Sequence, residues 1–252
     1  MKGKKNQESK ALKKIENNFA LFKKHENITH GFGRVVRKLE KEITVLRSHL
    51  EGKGNWEKQR KHLGSSAFEC IQIGGGQHYL QDFLNIDIFP PADLIYDVRQ
   101  GLPLPDNCCT FLFCEHLLEH IDYPVSIEKF LSECFRVLKK GGRFVIGVPD
   151  GELVLKNYCK NDQLFKEEII KRWYGRRKIS NYINSYIDLV NYHFRDMDDD
   201  KIYNPHLWAY DYKNLYSLLK KARFSNIKKW SFNKLIANPK RKWGSLYVVV
   251  NK

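Results

Sequence analysis

The chain has 252 residues, a formal net charge of +15 and a mean hydropathy of −0.54. That length supports one full domain plus an appendage, with a substantial core. With no run of eighteen apolar residues and no leader-like segment, a soluble cytoplasmic protein is expected.

Six cysteines at irregular spacing, two of them adjacent at Cys108 and Cys109, form neither a disulfide framework nor a C-x-x-C metal pair. A reducing compartment suits them. The charge is uneven: about +10 over residues 1–63, about −7 over 64–155 and about +12 over 156–252. The basic flanks fit an anionic partner, whether a nucleic acid, a phosphorylated sugar carrier or an anionic membrane surface.

Residues 1–63 read as a basic helical extension. Met1 to Lys10 is polar enough to be disordered. Leu12, Ile15, Phe19 and Phe22 recur at helical spacing, and so do Phe32, Val36, Leu39, Ile43, Leu46 and Leu50. Two helices joined near Glu26 to His30 are expected, packed on each other, on the main domain or across a homo-oligomer. Gly52-Lys53-Gly54-Asn55 reads as a linker into a main domain over residues 64–252.

That domain opens with Ile71-Gln72-Ile73-Gly74-Gly75-Gly76, a strand ending in a glycine loop. Asn85-Ile86-Asp87-Ile88 follows as a second strand tipped by a carboxylate. Such glycines let the backbone approach a ligand, and the carboxylate stands where a doubly wound α/β sheet holds ribose hydroxyls. Tyr79 occupies the third glycine position of a dinucleotide fingerprint, and Asp87 comes too early for a full crossover helix, so NAD is disfavoured. Ala92 to Asp97 is a third short strand ending on an acid, and Thr110 to Cys114 a fourth. Pro124 to Lys140 is an amphipathic helix with Gly141-Gly142 as its stop, and Arg143 to Val148 a fifth strand.

In this order the elements resemble the class I S-adenosylmethionine-dependent methyltransferases. The likeness is closest to the small-molecule and glycan-pathway branch, whose signature runs D…LPFPDNSFD…EHL-x-H…RVLKPGG. Here Asp97, Leu102-Pro103-Leu104-Pro105-Asp106-Asn107, Glu119-His120 and Arg136-Val137-Leu138-Lys139-Lys140-Gly141-Gly142 carry it, over residues 68 to 150. The resemblance implies a Rossmann-like, doubly wound, mostly parallel seven-stranded sheet, with a helical N-terminal extension and a helical insertion at about 151–210.

It also implies S-adenosyl-L-methionine as cofactor. Gly74, Gly75 and Gly76 match the loop under its methionine part, and Asp87, with Ile88 beside it, the ribose acid. Asp97 and the Val98 backbone match the adenine contacts; Asp97 also reads as a cap of the following turn. Cys114 and Glu115 match the strand end near the amino group and sulfonium, although Cys114 reads equally as a small buried residue. An acidic pocket suits a sulfonium.

His116, His120 and Asp150 follow the fourth and fifth strands at the edge where the methyl emerges, and are the candidate catalytic groups. Glu119-His120 reads as well as a loop-shaping pair. His193 and His206 are placed to reach in from the insertion, where aromatics and arginines interleave from Tyr158 to Arg195. The run Asp196 to Asp200 could bind a divalent cation but lacks the spacing of a calcium loop, so a solvated loop is expected and no metal site is assigned.

Without an Asn-Pro-Pro-Tyr-type tetrapeptide or a Pro-Cys nucleophile, oxygen methylation is left by elimination. The resemblance implies a saccharide or related small molecule as acceptor, possibly phosphorylated, in polysaccharide biosynthesis. An RNA acceptor, or a non-catalytic scaffold with the same fold, are the alternatives.

Overall fold

The computed structural model describes residues 2–25, 30–62, 69–175, 181–196 and 205–252. The strands are β1 (Cys70–Ile73), β2 (Leu84–Asp87), β3 (Leu94–Ile95), β4 (Cys109–Glu115) and β5 (Leu138–Pro149), then β6 (Ser225–Lys229) and β7 (Ser245–Asn251), the central ones buried on both faces. They form one sheet in the order β3-β2-β1-β4-β5-β7-β6. The first five are parallel to their neighbours, while β7 runs antiparallel to both β5 and β6. This is the Rossmann-like α/β architecture expected from the sequence.

Strand order reverses between β1 and β4, which pair directly. A crevice therefore opens at the carboxyl ends of these strands, where open α/β sheets bind ligands. Ile71, Ile73, Ile86 and Leu112 are fully buried beneath it. One face of the sheet is covered by α3 (Val125–Val137) and α7 (Tyr212–Lys221). From α3 come Ile127, Phe130, Leu131, Cys134 and Val137, all essentially solvent-free. The other face packs Phe113, Val145 and Tyr247 against Leu80 and Ala237.

Helices α1 (Lys2–His25) and α2 (His30–His62) form the expected N-terminal pair. An Arg47–Glu16 ion pair and an edge contact between Phe22 and Phe32 join them. Two expectations need correction. α1 begins at Lys2 rather than after a disordered lead, and α2 runs unbroken through Gly52 to Asn55, read above as a linker. A helical glycine costs only about 1 kcal/mol relative to alanine, which a 33-residue helix absorbs.

The helix stop also differs. α3 ends at Val137, and Leu138 already belongs to β5. The Cys108 N–H takes the Val137 carbonyl at 2.7 Å, drawing the chain into strand pairing before the glycines are reached. Gly141, at φ 78°, lies within the strand instead.

The insertion after β5 holds α4 (Gly151–Cys159), α5 (Gln163–Ile169) continuing as a π-helical turn to Tyr174, and α6 (Tyr186–Arg195). Asp150, Asp162 and Ser185 cap the three helices in turn. Their apolar faces meet in a separate cluster around Val154, Ile169, Tyr174, Leu189 and Tyr192. Among the described residues, no helix is long and apolar enough to cross a membrane.

Candidate active site

The crevice is lined from its floor by Gly74, Gly76, Ile86, Asp87 and Ile88, and from its walls by Tyr96, Asp97, Val98, His116, Leu117 and His120. Gly74 and Gly76 adopt φ of 71° and 57°, a region that side chains resist. A Cβ on Gly74 would stand 2.8 Å from the Leu117 side chain, so the glycine keeps Leu117 in place against the loop. Gly75 serves packing, since a Cβ there would strike Gln72 at 2.7 Å.

Asp87 links the first two strand ends. Its Oδ2 accepts the Gly76 N–H at 2.8 Å and its Oδ1 the Phe89 N–H at 3.0 Å. Burial pushes its carboxyl above the usual range, and the N–H groups of Gly76, Phe89 and Ile88 pull it back. Asp97 caps a 3-10 turn over Val98–Gln100 through the Arg99 N–H, and also holds the Arg99 guanidinium through Nε at 3.0 Å and Nη2 at 2.9 Å.

Cys114 and Glu115 lie away from the crevice lining. Cys114 is fully buried in the sheet core, and burial raises its thiol well above its ordinary value. Glu115 accepts from Tyr247 Oη at 2.6 Å and from the Asn238 N–H at 3.2 Å, while its carbonyl takes Arg241 Nη1 at 2.8 Å. It ties the end of β4 to the C-terminal strands. Asp150 is the α4 cap, accepting from the Leu153 N–H at 3.1 Å, and it too lies outside the crevice lining.

The two candidate histidines do line the crevice. His116, at φ 55°, has Nε2 2.8 Å from Ser245 Oγ and Nδ1 3.5 Å from Glu119 Oε1. Burial first, then nearby Arg241 and the His206, His120 and His193 rings, hold its pKa well below the ordinary imidazole value. The ring is thereby held neutral and is a weaker base than a free imidazole. His120 meets the His206 ring edge-on at 5.0 Å between centroids. His193 is buried elsewhere, 3.2 Å from Tyr174 Oη.

A second, larger groove of about 1370 Å³ opens between α2, α4, the end of α6 and the segment 205–211. Arg37, Lys38, Lys41, Lys156, Lys160 and Arg195 line it, with Glu152 and Asp211 the only acids among the described residues. Trp208, stacked on Tyr123 at 4.0 Å and 6°, forms part of its wall. A small cavity lined by Glu119, His193 and His206 shares Gly151, Phe194, His206 and Trp208 with this groove. The pair Glu119-His120 thus stands between crevice and groove. Of the run 196–200 only Asp196 lies within the described residues, as do neither Arg176 and Arg177 nor Tyr203.

Several wall residues carry no sequence signal. Val45 arrives from α2 and Arg241 from the far C-terminal segment. Arg99 had one: a cation two residues after an acid at a turn is placed to pair with it.

Residues 85–146 match the model of a methyltransferase domain, about a quarter of the chain, spanning β2 to β5. With that match on the sheet order above, the chain is a methyltransferase. Its cofactor is S-adenosylmethionine.

Three solved structures are similar. An S-adenosylmethionine-dependent methyltransferase of Thermotoga maritima is 17% identical, over 88% of this chain and 99% of that one, with a TM-score of 0.40. One from Methanosarcina mazei is 16% identical over 77% and 96%, at 0.46. One from Archaeoglobus fulgidus is 15% identical over 80% and 94%, at 0.42. No curated protein matches.

The crevice suits the cofactor. The Asp87 oxygens, already held by backbone N–H groups, keep acceptor capacity for ribose hydroxyls. The positive-φ glycines expose backbone, and Ile88 and Val98 supply apolar wall for a planar ring.

Proposed function

We propose that the chain methylates an oxygen of a saccharide or related small molecule that carries phosphate or another anionic group. What carries the reading is the cationic groove meeting the crevice at Glu119-His120. In this reading Asp87 holds the ribose, Gly74 and Gly76 face the methionine part, and Asp97 with the Val98 backbone reads the adenine. Asp97 then exchanges part of its Arg99 pairing for the ring.

When bound, S-adenosylmethionine supplies a methyl carbon whose bond to the sulfonium breaks, with the pair going to sulfur, as the acceptor oxygen bonds to it. The chain's own contribution is proximity and a proton acceptor. His116 or His120 supplies the acceptor, with Ser245 Oγ fixing the His116 ring. The six cations orient the anionic end of the acceptor, and the exposed Trp208 face offers an apolar surface to a sugar ring.

The test is transfer of labelled methyl to a panel of sugar phosphates, nucleotide-linked sugars, neutral sugars and RNA. Transfer to a phosphorylated saccharide, with the label stable as an ether, supports the reading. Transfer to RNA alone, with affinity falling by roughly 0.7 to 0.9 log units per log unit of salt for each phosphate contacted, replaces it.

A further inference from the structure

We propose that Glu119, His120 and His206 form a site for a divalent transition-metal ion at the junction of crevice and groove, with one coordination position open to the acceptor. The metal's use in methyl transfer rests on the function proposed above; its binding does not.

Each of the three residues offers one ligand atom, and these atoms all lie within 4.8 Å of one another. Among the described residues no other group of three converges in this way. Glu119 Oε1 is 4.0 Å from His206 Nε2. Further groups stand close by: His116 Nδ1 is 3.5 Å from Glu119 Oε1, and Asp196 Oδ2 is 3.6 Å from His206 Nε2. These separations exceed the 2.7–3.2 Å of an N–H···O hydrogen bond. With bonds of 2.0–2.2 Å, the ligands of a tetrahedral ion stand about 3.4 Å apart, so a small inward shift closes the shell.

The tautomer of His206 points the same way. Its Nδ1 lies 3.0 Å from the His193 carbonyl, which can only accept, so Nδ1 carries the hydrogen. Its Nε2 then faces the Glu119 and Asp196 carboxylates, 4.0 and 3.6 Å away. Orientation of a ring through its other nitrogen onto a backbone carbonyl is the usual outer support of a metal-binding histidine.

The backbone around these side chains is pinned. The Leu207 N–H donates to the Glu119 carbonyl at 2.6 Å, and the His206 N–H to that of Arg195 at 2.9 Å. Tyr210 Oη reaches the Leu118 carbonyl at 3.3 Å. Two segments 86 residues apart are thereby locked face to face, with Glu119 1% exposed. Two imidazoles and one carboxylate are the donor set of open catalytic zinc and non-haem metal sites. An acceptor hydroxyl on the open position would lose its proton to solvent more readily than a free alcohol, leaving an oxygen ready for the methyl.

The test titrates Co²⁺ and Zn²⁺ into chelator-stripped, full-length protein, by calorimetry and by the visible absorption of bound Co²⁺. One ion per chain is expected, with intense absorption typical of low-symmetry coordination. His206→Ala and Glu119→Gln should each weaken binding by at least tenfold. X-ray absorption on Co²⁺-loaded wild type should show a nitrogen and oxygen shell containing imidazole, a readout that needs no variant to fold.

The S-adenosylhomocysteine-induced shift in thermal unfolding is followed in parallel, because His206 lies outside the cofactor crevice. A preserved shift without saturable Co²⁺ binding, or with equal binding by both variants, overturns the metal site and leaves the methyltransferase reading intact. A loaded metal without any shift supports the site and removes its proposed use.

Discussion

The two sides of the catalytic edge are built by different means. On the cofactor side, Asp87 and the glycine loop stand on the tips of strands whose inward residues are completely buried, and ladder hydrogen bonds fix where each tip falls. On the proposed acceptor side, the insertion is three short helices set by side-chain caps, closing over a small cluster against which the buried His193 ring packs. A ladder-built edge moves only with the sheet. Capped helices on a satellite cluster belong to the part of a protein that opens first, the property a substrate lid needs.

The largest expected effects probe that contrast directly. Phe130→Ala empties a fully buried position under the sheet and should cost about 3–5 kcal/mol, lowering the unfolding midpoint by roughly 10 °C. Leu189→Ala removes an equally buried side chain from the insertion cluster. Hydrogen exchange should then rise across α4 to α6 while S-adenosylhomocysteine affinity holds. Equal loss of protection in β1 and β4 would mean that the two sides unfold as one unit, and the contrast would fail.

Asp87→Ala should come next. It strips two backbone N–H groups of their acceptor and removes a charge-assisted contact to the ligand, effects of about 1.5–3 kcal/mol per bond. S-adenosylhomocysteine affinity should fall about a hundredfold by calorimetry, with little change in acceptor-free stability of the insertion. Retained affinity would take the ribose role away from Asp87.

Acid should act on the insertion as well as on the sheet edge. Burial holds His193 down at about 4, against 6.5 for an exposed imidazole. Below 6.5 the unfolded chain takes a proton that the native ring refuses until about 4. The native state therefore keeps its full stability above 6.5 and loses it as the pH falls toward 4, by roughly 3 kcal/mol. His116 is shifted in the same direction and adds to the slope. His193→Gln should flatten the pH dependence of exchange in α6 between pH 6.5 and 4; an unchanged slope would assign it to other groups.

Legibility in the sequence follows the same divide. The glycine loop, Asp87, Asp97 and the amphipathic α3 were readable because each is written in a few adjacent residues whose period and termini name the element. The Rossmann-like sheet was implied by the resemblance that their succession carries. What escaped was contact across long separations: Arg241 and Val45 in the crevice wall, and Tyr247 on Glu115, 132 residues away.

Adjacency also misled. Asp150 stands at the right edge, yet three residues on lies the N–H it caps, a local signal that competes with any catalytic reading. His206 was visible only as a histidine within reach, because its placement depends on segment 205–210 docking on Glu119, which no local pattern encodes.

The smallest effect tests whether the N-terminal helices take part in the site at all. Lys38 and Lys41 reach the groove from α2. Reversing both in Lys38→Glu/Lys41→Glu should raise KM for an anionic acceptor about five- to tenfold at low salt, leaving kcat and S-adenosylhomocysteine affinity alone, because exposed charges act at a distance and are screened. At an ionic strength of about 1 M, where the screening length falls to about 3 Å, the variant and the wild type should converge. A KM unchanged at low salt would separate α2 from acceptor binding and confine the groove's role to α4, α6 and the segment that carries His206. A defect that survived high salt would instead make the lysines direct contacts, and the acceptor's charge would then sit against α2 itself.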